Sequence, residues 1–201
     1  MERHHLTEEE ARLLFAPPIL IPAAGDSGRF GRPKLLEKID GIPIIRRTCA
    51  ALRGGGGGYL LISVQPGDRS LAEPLSDLPG VLFVDNPEWR EGMASSYRRL
   101  ANLLVPHHSF VLASPGDLPW LRPETVWQIV SEAEKDPSQF LVPAVAGVPG
   151  HPVAIPLSML SRTHELRGDE GFRHWRGEAR TLAVDDTGCI RDVDVPGDVP
   201  D

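Results

Sequence analysis

Ile19-Leu-Ile-Pro-Ala-Ala-Gly-Asp-Ser-Gly-Arg-Phe-Gly-Arg-Pro-Lys-Leu-Leu36 is the stretch on which the reading of the fold turns. Its first residues form a short, continuous apolar run, the pattern of a strand buried on both faces of a parallel sheet. The run empties into a loop that carries Gly25, Gly28 and Gly31, with Arg29 and Lys34 among them. Glycines let backbone amides approach and converge on one anion, and two cations neutralise charge that the amides cannot. The spacing fits neither the Walker loop nor the dinucleotide fingerprint. The plain alternative is a glycine-rich turn with two solvated cations.

Working outward, short apolar runs recur at Ile19–Ala23, Tyr59–Val64, Val81–Asp85, Phe110–Ser114, Phe140–Val145 and Val153–Ile155. Each reads as a buried, parallel-type strand. Helical stripes lie between them: Ile45, Cys49 and Leu52, then Met93, Tyr97, Leu100 and Leu104, then Val126, Ile129, Val130 and Ala133. Pro123 sits where a first helical residue is expected. Alternation of strand and helix predicts an α/β fold, a single doubly wound, mostly parallel sheet with helices on both faces. Ligands of such sheets gather outside the carboxyl ends of the strands. Thr7-Glu8-Glu9-Glu10 fits a capping box, so residues 1–16 read as a helical extension, stopped by Pro17-Pro18, on a domain spanning 17–201. Gly54–Gly58 reads most simply as a flexible helix-to-strand connection.

Composition narrows the classes. The 201 residues carry 21 Lys and Arg against 28 Asp and Glu, a formal charge of −7. Nucleic acid and anionic membrane are therefore not expected partners, because both demand a basic patch. No apolar run approaches the roughly 18 residues of a membrane span. The opening Met-Glu-Arg-His-His has no apolar signal core, so export is not expected. Two cysteines, Cys49 and Cys189, make no metal-type spacing and no disulfide framework, and a cytoplasmic setting is the default. Glycine and proline number 20 each, which suits a folded domain with many shaped loops.

The segment Pro22-Ala-Ala-Gly-Asp-Ser-Gly-Arg-Phe-Gly-Arg-Pro-Lys-Leu-Leu36 resembles the signature loop of the nucleotidyltransferases that activate sugar phosphates and molybdenum cofactor. Pro22 and Phe30 replace the usual small residue and Met. Asn86-Pro-Glu-Trp-Arg-Glu-Gly-Met-Ala-Ser-Ser96, Pro115-Gly-Asp-Leu-Pro119, Gly150-His-Pro152, Leu166-Arg-Gly-Asp-Glu-Gly171 and Asp192-Val-Asp-Val-Pro-Gly-Asp198 resemble, in order, later segments of the molybdenum cofactor cytidylyltransferase-like group. Together these segments span residues 19 to 198, nearly the whole chain.

The resemblance implies a nucleotide-diphospho-sugar transferase-like fold and transfer of a nucleoside monophosphate to a phosphate acceptor, with pyrophosphate released. Bringing two anions together while a third departs is mainly a problem of position and charge, met by Mg²⁺ and fixed cations. Arg29 and Lys34 are the expected triphosphate clamp, with Ala23, Ala24, Gly25, Ser27, Gly28, Gly31 and Ser95 as the remaining nucleotide contacts. Mg²⁺ needs one or two carboxylates. Asp117 follows an apolar run at the mouth of the expected sheet, and its alternative use is to begin the turn before Leu118-Pro119. Asp194 is the second metal ligand that the resemblance implies, with Asp192 the obvious confusion. Ser95 and Ser96 open a helix and serve either an anion or a simple cap. His151 and Asp169 fall on segments that the resemblance assigns to the acceptor. The Ala23-Ala24-Gly25 form matches cytidine-type members, since a Cβ at Ala24 leaves less room for a purine. Implied partners are CTP or another triphosphate, a molybdopterin-type acceptor and a molybdenum hydroxylase. Two other readings remain, a sugar or polyol phosphate nucleotidyltransferase and a non-catalytic carrier of nucleotide or cofactor.

Overall fold

A computed structural model describes residues 7–25, 30–104 and 107–198. In chain order the regular elements are α1 (Glu8–Phe15), β1 (Ile19–Pro22), β2 (Lys38–Ile39), β3 (Ile42–Pro43), α2 (Ile44–Gly54), β4 (Leu60–Val64), β5 (Val81–Asp85), α3 (Met93–Ala101), β6 (Phe110–Ala113), α4 (Pro123–Lys135), β7 (Leu141–Val145), β8 (Val148–Pro149), β9 (Val153–Pro156) and β10 (Arg180–Ala183), linked in places by 3-10 turns. Among the described residues eight strands share one sheet in the order β10-β7-β9-β6-β1-β4-β5, with β8 on β7. β1 runs parallel to β4 and β6, β4 to β5, and β7 to β10. β9 is antiparallel to both β6 and β7, so the sheet is mixed, though mostly parallel.

Alternation along each strand divides the core into two layers. Ile19, Ile21, Leu60, Ile62 and Leu112 face α2 and α4, meeting Ile45, Cys49, Leu52, Val126 and Ile129. Leu20, Leu61, Val111 and Ala113 face the other way, onto Ala94, Tyr97 and Leu100 of α3 and onto Phe172 and Trp175. Both faces of the central strands are covered, which is why their sequences are continuously apolar, whereas the edge strands β5 and β10 are partly exposed.

The expected strands are present with ends moved by a residue. Three features depart from the sequence reading. Val153–Pro156 is not a parallel strand but an antiparallel insertion between β6 and β7. Arg180–Ala183, with alternating burial, adds an edge strand where none was expected. The glycine run 54–58 is not a flexible linker. A Cβ on Gly55 would meet Val126 Cβ at 2.3 Å, one on Gly57 would meet Ile19 Cδ1 at 2.2 Å, and one on Gly58 would meet Ala16 O at 2.4 Å. The run is where α2, α4, β1 and the end of α1 converge, and side chains are excluded there.

The capping box forms, with Glu10 N donating to Thr7 Oγ1 (3.2 Å) and Thr7 N to Glu10 Oε2 (2.8 Å). α1 buries Leu13, and Arg53 at the end of α2 donates to the carbonyls of Gly58 and Pro79. α4 starts without a side-chain cap of its own. Buried Asp186 supplies one from the far end of the chain, accepting from Arg122 N (3.0 Å), Thr125 Oγ1 (2.7 Å) and Gly188 N (2.9 Å).

Candidate functional site

The chain leaves β1 for β4 and β5 on one side, then returns to β6 on the other. Strand order therefore reverses between β1 and β6, and the crevice of a doubly wound sheet lies outside the carboxyl ends of that pair. The loop after Pro22 and the turn Ser114–Asp117 both emerge there.

Several contacts hold these two segments in place. Ala23 N donates to Ser63 O (2.9 Å) and Gln65 Nε2 to Ala24 O (3.3 Å), so β4 steadies the start of the loop. Phe30 at its far end is buried with Ile39, Ile44 and Val193, which explains how Phe replaces Met. On the β6 side, a Cβ on Gly116 would meet Ile45 Cδ1 at 2.8 Å, so glycine lets the turn lie close on α2. Thr48 Oγ1 of α2 then accepts from Leu118 N (3.0 Å). Val193 N donates to Asp117 O (3.1 Å), which ties the C-terminal segment to the same turn.

The result is a charge cluster assembled from three distant parts of the sequence. Lys34 Nζ lies 2.5 Å from Asp117 Oδ2 and 3.8 Å from Asp194 Oδ1. Asp117 is largely enclosed, at 13% side-chain exposure, while Asp194 is open at 52%. Burial pushes the Asp117 carboxyl above the usual range, the Lys34 charge and hydrogen bond pull it back, and Asp192 pushes it up again. Asp117 Oδ1 is buried and has no hydrogen-bond partner. Asp194 and Val195 donate their backbone amides to Asp198 Oδ2 at 2.8 and 2.9 Å, so Asp198 shapes the tail that presents Asp194.

The remaining expectations fare differently. Ser27, Gly28 and Arg29 lie outside the described residues. Gly25 and Gly31 border open space, and Gly31 takes φ +73°, a conformation that favours glycine. Ala24 is only 2% exposed, so its Cβ packs inward and forms no accessible wall of a base pocket. Ser95 departs from the expectation of a nucleotide contact, because it is wholly buried. Its hydroxyl donates to Gly92 O (2.8 Å) and accepts from Asn86 Nδ2 (2.9 Å), while Ser96 accepts from the same amide at 3.2 Å. That network fixes the loop 86–92 against α3. Asp169 Oδ1 accepts from Met93 N (3.3 Å) at the start of α3, and the residue is exposed. A Cβ on Gly92 would meet Gly168 O at 2.4 Å, so the two loops touch through backbone.

His151 stands just before β9, whose Val153 pairs with Ala113 at the carboxyl end of β6. It therefore sits at the same edge as Asp117. Its amide donates to Cys189 O (2.8 Å), and its ring Nδ1 is buried without a partner. Burial lowers its pKa to about 4, helped by the nearby Arg176 charge, so the ring is neutral at physiological pH. A cavity of about 410 Å³ between α1 and Arg53 lies at the opposite, amino edge of the strands, beside Gly57 and Pro79, and plays no part in this cluster.

Sequence reading missed Thr48, Asn86, Val193 and Asp186 as organisers of this edge. Their signal is faint. Each is a single residue whose partner lies from nine to seventy-six positions away.

Among the described residues no three His, Cys, Asp or Glu side chains gather as a metal cage. Two carboxylates with an unpartnered buried oxygen still suit a hard divalent cation that keeps most of its water.

The model of the MobA-like NTP transferase domain matches residues 19–183. The crystal structure of Rv0371c from Mycobacterium tuberculosis H37Rv is 26% identical, covers 91% of this chain and 95% of its own, and superimposes with a TM-score of 0.75. A manganese complex of Rv0371c has also been solved, 24% identical, covering 92% of this chain and 94% of its own, TM-score 0.66. CMP:2-keto-3-deoxy-manno-octonic acid synthetase complexed with CTP shares the fold at 16% identity and TM-score 0.68, over 90% of this chain and 94% of its own. The bifunctional protein GlmU of Rhodospirillum rubrum is 28% identical over 125 residues, 61% of this chain but only 27% of that relative's length. With a mostly parallel sheet, a glycine- and lysine-bearing loop after β1 and an acidic turn after β6, the chain belongs to the MobA-like NTP transferase domain family.

Proposed function

We propose that this nucleotidyltransferase domain transfers CMP from CTP to the phosphate of molybdenum cofactor, releasing pyrophosphate, in the maturation of a molybdenum hydroxylase. The observation that carries the reading is the Lys34–Asp117 pair at the carboxyl ends of β1 and β6, with Asp194 brought alongside. An acceptor phosphate oxygen attacks the α-phosphorus, and the bond to the β-phosphate oxygen breaks with its electron pair leaving on pyrophosphate.

The chain's own residues supply position and charge. Lys34, fixed on the 3-10 turn Lys34–Leu36, offers a point charge to the triphosphate, and Arg29 on the same loop is proposed to fork across its oxygens. Asp117 and Asp194 are the proposed holders of Mg²⁺, which when bound would supply the positive charge that crowded phosphate oxygens need. The manganese complex of Rv0371c supports a divalent ion in this fold. His151, neutral and with an unpartnered ring nitrogen, is the proposed hydrogen-bonding residue on the acceptor side. Asp169, exposed beside the start of α3, is the second residue proposed for the acceptor side.

CTP as donor is supported by the Ala23-Ala24-Gly25 form of the loop and by the CTP-bound neighbour of the same fold. Because Ala24 is enclosed, its influence on base choice runs through loop packing. The Trp89 segment and Gly150-His-Pro152 support the cofactor as acceptor over a sugar or polyol phosphate, the second reading, which GlmU keeps in view. The retained Lys34 and Asp117 speak against a mere carrier.

A pyrophosphate-release assay with each of the four triphosphates, against molybdenum cofactor and a panel of sugar and polyol phosphates, separates these readings. CTP with molybdenum cofactor should be the productive pair. Release with a sugar phosphate and none with the cofactor would move the chain to the second reading. Binding of CTP without any release would leave a carrier.

A further inference from the structure

We propose that Lys34 is a placeholder cation at the metal site, so that lysine and divalent metal compete for Asp117 and the triphosphate opens the site by drawing Lys34 away. The proposal rests on the nucleotidyltransferase reading for the identity of the triphosphate. The competition itself rests only on the geometry.

The same ammonium reaches both carboxylates, at 2.5 Å from Asp117 Oδ2 and 3.8 Å from Asp194 Oδ1. It stands where a cation serving both acids would stand. The pairing is sheltered, with Lys34 at 20% and Asp117 at 13% side-chain exposure, so water screens it weakly. An enclosed carboxylate needs a counter-charge to stay ionised, and in this state Lys34 provides it. The other Asp117 oxygen is buried and without a hydrogen-bond partner, so the carboxylate still has an unmet demand for positive charge. Lys34 also belongs to the loop proposed to receive the triphosphate, following Pro33 and anchored at the buried Phe30. One side chain thus answers to two sites.

Two ligands that compete through a shared group have a definite thermodynamic relation. Metal alone must displace an ammonium from a short, charge-assisted hydrogen bond and so binds weakly. A polyphosphate that pairs with Lys34 removes that competitor and raises metal affinity, and metal raises polyphosphate affinity by the same factor. The device keeps a buried acid neutralised between turnovers and makes productive metal binding depend on nucleotide.

Sequence makes the test clean, because the chain has three lysines, Lys34, Lys38 and Lys135. In a sample labelled at lysine Cε, Mg²⁺ is titrated without nucleotide while the lysine signals are followed by NMR. Assignment comes from Lys34→Gln. Mg²⁺ should move the Lys34 signal toward that of a solvated lysine and leave Lys38 and Lys135 in place. Calorimetric titration of the same samples, at a pH alkaline enough to keep Asp117 ionised, should show Lys34→Gln binding Mg²⁺ about tenfold more tightly than the wild type, the worth of one charge-assisted hydrogen bond. Lys34→Arg restores a competing cation and should return affinity toward the wild-type value. If Mg²⁺ binds while the Lys34 signal stays fixed, or if Lys34→Gln, folded by circular dichroism, binds it no more tightly, the placeholder role is overturned. None of these measurements uses turnover. Absence of pyrophosphate release would defeat the functional reading and leave this result standing.

Discussion

At Asp117 the cost of burial and the proposed metal-binding role pull in opposite directions. Burial raises its pKa, which means that the surrounding protein disfavours the charged form that a metal ligand requires. Asp117→Asn keeps the shape and removes the charge. We expect it to fold with a melting temperature at or modestly below the wild type, since relief of the enclosed carboxylate is offset by a sheltered Lys34 ammonium that loses the Asp117 charge and keeps the exposed Asp194. Cation-supported transfer should fall about 100- to 1,000-fold, the typical loss when one preorganised electrostatic group is removed. Differential scanning calorimetry with the pyrophosphate assay checks both halves, and a variant of unchanged turnover would remove Asp117 from the mechanism. Lys34→Ala is expected to lower turnover to a similar degree, because a mid-loop cation contributes little to the core and much to a focused anionic charge. Ser95 and Asp169 belong to a different category. The buried Ser95 hydroxyl is occupied by Gly92 and Asn86, and Asp169 Oδ1 accepts from Met93 N, so both help to hold the loops 86–92 and 166–171 against α3.

At the scale of elements, the glycine run joining α2 to β4 is a packing joint. Gly57 admits no Cβ, because one would lie 2.2 Å from Ile19 Cδ1 and 2.8 Å from the Leu52 carbonyl. Backbone cannot move aside cheaply, so Gly57→Ala should cost at least about 2 kcal/mol, which lowers the melting temperature by several degrees. Gly177→Ala, with open space around its Cα and no left-handed backbone, is the matched control and should be nearly neutral. Asp186 is the other joint. It caps α4 from a residue sixty-one positions beyond Thr125, so Asp186→Ala leaves buried donors unmatched at the helix start and should destabilise by about 1–3 kcal/mol, measurable by urea denaturation.

For the whole molecule, acid stability follows from His151. Its pKa in the fold is about 4, below the ordinary 6.5, because burial disfavours the imidazolium. Below pH 6.5 the unfolded chain takes up a proton that the folded chain does not accept until about pH 4. Stability should therefore decline across that window as pH falls, by up to about 3 kcal/mol at roughly 1.36 kcal/mol per unit. Asp117 works in the opposite sense, since its raised pKa lets the folded state bind a proton first on acidification. Comparing unfolding free energies of the wild type and His151→Gln between pH 7 and pH 4 isolates the histidine, and the variant should lose less. Equal slopes would show that the ring titrates freely in the fold.

What the sequence determined by itself was the periodic part. Continuous apolar runs and i, i+4, i+7 stripes fixed the positions of β1, β4, β5, β6 and β7 and of α2, α3 and α4 to within a few residues, because burial on both faces of a parallel sheet leaves a one-dimensional signature. The Thr7–Glu10 capping box was legible for the same reason, its partners being three residues apart. The Gly25–Lys34 loop and Asp117 could be singled out by residue type. Tertiary structure alone decided the rest. A short apolar run has no direction, so Val153–Pro156 could be recognised as a strand but not as antiparallel. The packing of Gly55, Gly57 and Gly58, the cap that Asp186 lends to α4, and the burial of Ser95 and Ala24 depend on neighbours dozens of residues away. The meeting of Lys34, Asp117 and Asp194 is of that kind too. It exists because β1 and β6 lie side by side and Val193 docks beneath the loop, and a contact between such distant residues leaves no periodic trace in the chain.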